Sequence, residues 1–380
     1  MSFTGKATYS AGPSLPEIAE DVADLVAIQS AHETPLLSVL GDPAREARST
    51  YHEWLEDGPV GNTTTITDVV SSTVWTVGDV SIFRVGDQLQ VRASAERALV
   101  TAVDPANTRI TVSRGYGGTG AGTVEDDDVV INLGNAALEG ADAGTARFSV
   151  RSRIGNYTQI FSTTIEVSGS ELAVRKIGVR DEMDYQKTMR LRELLRDLEN
   201  TVINGVAPEA NPQGSATVRR SMRGINSFIN SNRLTPGSGD IPSGTSLTED
   251  ILNRALQHVW RAGRGNVDLI LVNGREKRRI NQFVASQRRF YSVNETYKDM
   301  VSVYESDFGT CRIVVSRNVP VGSVLLLDSS RIGVIPLSGR SFHYKPLAST
   351  GDRESGQLLG EYTLEFRDEA AHGVIEGFTA

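Results

Sequence analysis

A chain of 380 residues exceeds one average domain and is long enough to bury sizeable cores in two or three units. Its formal charge of -8 and apolar fraction of 39% exclude a basic protein that coats DNA by neutralising phosphates, so nucleic-acid contact is expected to be local or indirect. The single cysteine, Cys311, excludes an intrachain disulfide framework, and no window approaches 18 consecutive apolar residues, so no membrane partner is expected.

The opening MSFTGKATYSAGPSLPE lacks an apolar run of signal-peptide length. Ser14 and Glu17 form a capping box, and Ile18, Val22, Leu25 and Val26 follow at helical spacing, which predicts a short helix to about Ser30. After the prolines of HETPLLSVLGDP, the aromatic, mixed-charge segment REARSTYHEWLED is predicted to pair with RFSVRSRIGNYTQIFSTTIEVSG, a hundred residues on, as arms of one long hairpin. Phe148, Val150 and Ile154 alternate there with Arg147, Ser149, Arg151 and Arg153, the period of a half-exposed strand. Between the arms, Val60 to Ala143 holds short β-branched runs separated by Gly, Asp, Asn and Pro, which predicts an inserted β-barrel or sandwich.

DEMDYQKTMRLRELLRDLENTVING carries Leu191, Leu194, Leu195, Leu198 and Val202 on one stripe, acids in its first turn and Gly205 at its stop, and so predicts a long helix. Arg190, Glu193, Arg196 and Glu199 alternate in sign at i, i+3 spacing and read as a solvated ion-pair face, with a subunit contact as the other reading. Ser246 with Glu249 and Asn273 with Glu276 are predicted to cap two further helices that flank a central strand, VDLILVN. CRIVVSR, SVLLLD and RIGVIPL read as strands, with Cys311 buried in the first. EYTLEFR alternates Tyr362, Leu364 and Phe366 against Glu361, Thr363, Glu365 and Arg367, as a half-exposed strand would.

Gly115, Gly117 and Gly120 in SRGYGGTGAG satisfy G-x-G-x-x-G, but such a loop must pass from a strand into a helix N-terminus that holds the phosphates. Here AGTVEDDDVVINL follows as an acidic turn and another strand, and no lysine occurs between Ala7 and Arg175 to complete a kinase-type loop, so the residues favour a glycine-rich β-turn. Glu125 to Asp128 lack the ligand spacing of a calcium loop, the five histidines include no H-E-x-x-H, and neither G-x-S-x-G nor a P-loop occurs. No catalytic residue, cofactor or metal is expected, and the chain is not read as an enzyme.

In order and character, ETPLLSVL, NYTQIFSTTIEVSGS leading into LLRDLENTVING, RRSMRGINSFI and VDLILVNGREKRRINQF resemble the major capsid protein of tailed bacteriophages, whose fold is shared with herpesvirus capsids and encapsulins. The resemblance implies an α+β fold of the Hong Kong phage type. Residues 1–44 would be the N-terminal arm, 45–59 and 144–167 the extended loop, and 60–143 an inserted all-β domain. A peripheral domain would comprise 168–226 and 322–380 with the spine helix 181–204, and 227–321 would be the axial domain, Met222, Arg223 and Gly224 lying at the junction. It further implies self-assembly into hexamers and pentamers of an icosahedral head around double-stranded DNA, first in the host cytoplasm and then in the virion. A separate scaffolding protein, a portal protein and a decoration protein are the other implied partners. Tyr51, Trp54, Arg147, Arg151, Arg153, Tyr157 and Phe161 are the expected subunit contacts. The alternative is a phage tail or adhesion protein with a carbohydrate-binding module, suggested by the β-rich insert and by Trp75 and Tyr116 as exposed aromatics.

Overall fold

The computed structural model describes residues 34–41, 45–57, 61–140, 151–173, 181–262, 266–287, 303–348 and 351–379. The chain divides into two compact units, Met1–Trp54 with Ile154–Ala380, and Leu55–Arg153. The helix expected at 14–30 lies outside the described residues.

In the larger unit the run VDLILVN forms the strand Leu269–Val272, a central member of a six-stranded sheet. The order is Arg233–Leu234, Gly373–Glu376, Ser323–Leu327, Leu269–Val272, Gly309–Val315 and Val303–Ser306. Central strands buried on both faces read as continuous apolar runs, and here successive side chains enter different cores. Leu269, Leu271, Leu325 and Leu327 join the core that includes Leu194, Leu198 and Val202 of the long helix. Ile270, Val272, Val324 and Leu326 join a second core with Leu252, Ala255 and Val259 of helix Glu249–Ala262 and Ile280 of helix Gly274–Gln287. Each such aliphatic side chain contributes about 1.5–3 kcal/mol on full burial. The sheet draws strands from both 227–321 and 322–380, so a boundary at 321/322 does not coincide with a break in hydrogen bonding.

Asn273 precedes helix Gly274–Gln287 as expected, its Oδ1 accepting from Arg275 N at 3.5 Å. The other cap differs: helix Glu249–Ala262 starts three residues after Ser246, and it is Thr248 whose Oγ1 accepts from Ile251 N at 3.3 Å. Cys311 is buried, and burial pushes its thiol up to about 11.

A four-stranded sheet is built around the 14-residue strand Arg353–Phe366. It pairs with Ile332–Pro336 and His343–Pro346 along one edge and with Gln159–Ser168 along the other, the last in an antiparallel register running from Gln159↔Tyr362 to Ser168↔Arg353. The long helix Glu182–Asn204 packs on Gln159–Ser168. Asp181 caps it, its Oδ1 accepting from Met183 N at 2.9 Å and Asp184 N at 3.1 Å. Gly205 ends it, but with φ -56° rather than in a left-handed cap. Glycine is required there by close approach: an added Cβ would lie 2.7 Å from the Met222 carbonyl oxygen and closer still to that of Thr201.

The smaller unit contains a closed barrel of six strands, ordered Thr63–Ser71, Val74–Val77, Arg109–Ser113, Arg97–Asp104, Asp87–Val91 and Val129–Asn135. Ile66, Trp75, Val77, Leu89, Val91, Val100, Ile110, Val112 and Val130 fill its interior. Trp75, expected to be exposed, is fully buried because the short strand Val74–Val77, not foreseen in the sequence, turns it inward.

Candidate functional site

Strands Tyr51–Glu56 and Ser152–Tyr157 pair as a two-stranded sheet, whereas the rest of the predicted second arm, Gln159–Ser168, pairs with Arg353–Phe366 instead of with the first arm. At the base of the two-stranded sheet the Tyr51 and Tyr157 rings lie 4.6 Å apart, over Gly155, where an added Cβ would be 2.7 Å from the Tyr51 ring. Trp54 is buried and begins an aromatic series: Phe228 at 6.1 Å, Phe366 at 5.4 Å from Phe228, and His372 at 4.2 Å from Phe366.

Two carboxylates of the strand Arg353–Phe366, expected on a solvated face, are instead buried at this base. Glu361 accepts from Thr158 Oγ1 and Arg220 Nη2, each at 2.6 Å, and pairs with Arg340 at 2.8 Å. Glu365 meets His52 Nε2 at 2.9 Å, Arg45 at 3.1 Å and Arg367 at 3.2 Å. The hydrogen bond from His52, with Arg45 beyond it, holds the Glu365 carboxyl below its usual range against the opposing effect of burial. Arginine suits such sites because its planar fork satisfies several acceptor lone pairs at once.

Asn156, also buried, locks the hairpin base to the segment Met222–Gly224. Its Nδ2 donates to the Arg223 carbonyl at 2.9 Å and the Leu364 carbonyl at 3.0 Å, while Arg223 N donates to its Oδ1 at 2.9 Å. Gly224 N then donates to the Gly205 carbonyl at 2.8 Å, where the two glycines let the backbones cross.

The solvated ion-pair face predicted on the long helix is only partly present. Arg190 pairs with Glu193 at 2.6 Å, but Arg196 leans to Asp197 at 3.8 Å, and Glu199 is fully buried. Glu199 accepts from Leu36 N at 3.0 Å, Leu37 N at 3.4 Å and Ser316 Oγ at 2.7 Å, which ties the short helix Pro35–Leu40 to the long one. Burial raises its pKa, with these hydrogen bonds opposing. Glu199→Ala is expected to leave the Ser316 hydroxyl and both amides unpartnered and to cost about 2–4 kcal/mol of subunit stability, read as a lowered urea midpoint.

The expected contact residues divide by burial. Tyr51 is 37% exposed, and Tyr157 is half-buried against it. Arg151 is exposed and pairs with Asp57 at 3.5 Å, and Arg153 is exposed. Trp54 and Phe161 are buried in the subunit's own core, where a side chain offers little surface to a neighbour. Arg147 lies outside the described residues. Sequence reasoning missed Asn156, Arg220, Glu361, Glu365 and Glu199. The signal that pointed to such buried pairs is the excess of 33 arginines over six lysines.

The glycine motif answers to an internal anion. Glu96, buried, accepts from Gly115 N at 3.2 Å, Gly122 N at 3.0 Å and Arg114 Nε at 2.9 Å. Burial alone would raise its pKa, but the hydrogen bonds from Arg114, Gly122 and Gly115 outweigh it and hold the carboxyl below its ordinary value. Gly115, Gly117 and Gly118 take positive φ in a tight turn, and the amides of Gly115 and Gly122 are committed to Glu96. Among the described residues no group of three or more His, Cys, Asp or Glu is placed to hold a metal ion, and no helix is long and apolar enough to cross a membrane.

A long helix packed on a four-stranded sheet, a hairpin rooted in buried ion pairs and a six-stranded sheet flanked by helices make up the framework of the larger unit. The chain belongs to the SU10 major capsid protein family, whose profile matches residues 2–379. It is a structural protein of an icosahedral phage capsid, a virion component that self-associates. In fold it is similar to the cyanophage A-1(L) capsid subunit (TM-score 0.53, 12% identity, 96% of this chain and 98% of that one). It is also similar to the capsid subunit of an empty GTA particle (0.50, 8%, 91% and 97%) and to the SrpI encapsulin of Synechococcus elongatus PCC 7942 (0.43, 12%, 60% and 77%). No curated protein matches the chain. The tail or adhesion alternative is not favoured, and the buried Trp75 removes one of the two aromatics that suggested it.

Proposed function

We propose that the chain tiles its shell as hexamers and pentamers and has no catalytic role. The family match over nearly the whole length carries this reading. In it, residues 1–44 act as an arm, the segments 45–59 and 144–167 reach toward neighbouring subunits, and the 60–143 insert stands at the capsid surface or bridges subunits. The axial domain, roughly 227–321, lies near the capsomer centre, with the peripheral domain around it. A scaffolding protein, a portal and a decoration protein are its proposed partners, with packaged DNA contacted only indirectly.

The shell is held without covalent cross-links. A lysine–asparagine isopeptide bond needs an amine nucleophile, and a guanidinium stays protonated and delocalised. The region proposed to reach between subunits contains no lysine from Ala7 to Arg175. Electron microscopy of purified protein should show shells or capsomers, and boiled shells should run on a denaturing gel as one band near 41 kDa. Isolated monomers at every concentration would refute the tiling; a ladder surviving boiling and reductant would refute the non-covalent lock.

A further inference from the structure

Near Tyr51 lies a guanidinium for which the subunit supplies an aromatic ring but no carboxylate. The main chain of Arg223 is clamped from both sides by the buried Asn156, and its side chain lies over Phe228 with 3.9 Å between guanidinium carbon and ring centroid. Its Nε is buried without a hydrogen-bond partner, and among the described residues no carboxylate pairs with it. Its neighbours at the hairpin base differ: Arg45 and Arg367 have Glu365, while Arg220 and Arg340 have Glu361. Burial lowers the pKa of Arg223, with the Tyr51 side chain pulling the other way. The buried Nε is a donor without an acceptor, and the contact with Phe228 offsets only part of what its desolvation costs the isolated subunit.

We infer that Arg223 receives a carboxylate side chain from a second copy of this chain, so that the hairpin base of one subunit closes against its neighbour. The inference rests on the capsid reading above. The local charge favours an acid: Glu361 serves two arginines, and Glu365 serves two more and His52, so guanidinium exceeds carboxylate on this strand face. A second copy readily supplies acids, since the chain carries 47 acidic residues against 39 basic ones. Tyr51, partly exposed at the same base, offers aromatic area for the neighbour to cover, and arginine with tyrosine is the composition of strongly contributing interface sites. A nucleic-acid phosphate fits less well, because binding to DNA draws on many cations along a path and not on one held in an aromatic corner.

The test compares the full-length wild type with R223M and R223K. Urea midpoints are measured on dispersed subunits, and capsomers and shells are counted by analytical ultracentrifugation and electron microscopy. R223M keeps an apolar side chain against Phe228 but loses the cation–π contact together with the charge, so its midpoint should stay close to that of the wild type while capsomer yield falls about ten-fold or more. R223K should fall between, having the charge without the planar fork. R223M assembling at wild-type yield would overturn the inference. So would a midpoint that drops together with assembly, which marks a purely structural arginine, or a loss confined to retention of duplex DNA. A wild type that forms no assemblies under any condition would instead refute the capsid reading, and this inference with it.

Discussion

Gly224→Ala should leave the subunit destabilised by about 3–5 kcal/mol, with the urea midpoint sharply lowered and soluble yield reduced. The methyl group would lie 2.5 Å from the Gly205 nitrogen, 2.7 Å from the Thr201 carbonyl oxygen and 2.9 Å from that of Val202. All three are backbone atoms at the end of the long helix, so no side chain can swing aside. The φ of Gly224 is -93°, open to any residue, which makes the effect one of close approach and not of backbone preference. Gly120→Ala is the matched control: its Cβ meets nothing within 4 Å, and its stability should stay within about 0.5 kcal/mol of the wild type. If both variants behaved alike, the crossing of the two backbones would not be as tight as described.

Acidification should weaken the subunit through His372. This histidine is fully buried against Phe366, its Nδ1 accepting from Asp328 N at 3.1 Å and its Nε2 donating to the Arg367 carbonyl at 3.3 Å. Burial lowers its pKa to about 4, opposed by the Arg367 carbonyl, Asp328 and Asp368 and aided by Arg331. With a folded value below the unfolded one, the unfolded chain binds the extra proton between about pH 6.5 and pH 4, and stability falls as pH falls through that window. The full difference is about 3 kcal/mol, of which about 1.5 kcal/mol should be lost between pH 6.5 and pH 5. H372N retains an acceptor for Asp328 N but does not titrate, so its stability, though lower, should fall less steeply over the same interval. Equal slopes for the two proteins would assign the acid sensitivity to other groups.

Elements with an unambiguous period were readable from the sequence alone. The leucine stripe and Asp181 marked the helix Glu182–Asn204, and the apolar run marked Leu269–Val272, because burial on one stripe or on both faces writes itself into neighbouring positions. The base of the hairpin was less legible. Glu361 and Glu365 fall at alternate positions whether they face water or arginine, and their partners Arg45 and Arg220 lie 320 and 141 residues away. Glu199 likewise resembled one more charge in an i, i+3 series until the amides of Leu36 and Leu37 were found on it. Trp75 was misread because a four-residue strand is too short for its alternation to indicate which face is buried. Local periodicity records how an element meets solvent; it does not record which distant charge completes it.

The ribbon of Gln159–Ser168 against Arg353–Phe366 also has a mechanical side. Its ten register pairs extend about 34 Å, and the long helix backs it along one face. When force acts along such a ribbon, the two strands must slide past each other and every rung is strained at once; when force acts across its end, the rungs open singly. A subunit tugged lengthwise through its hairpin would therefore yield at a far higher force than one peeled from the Ser168 end, and pulling single molecules from attachment points chosen along or across the ribbon would measure that anisotropy directly.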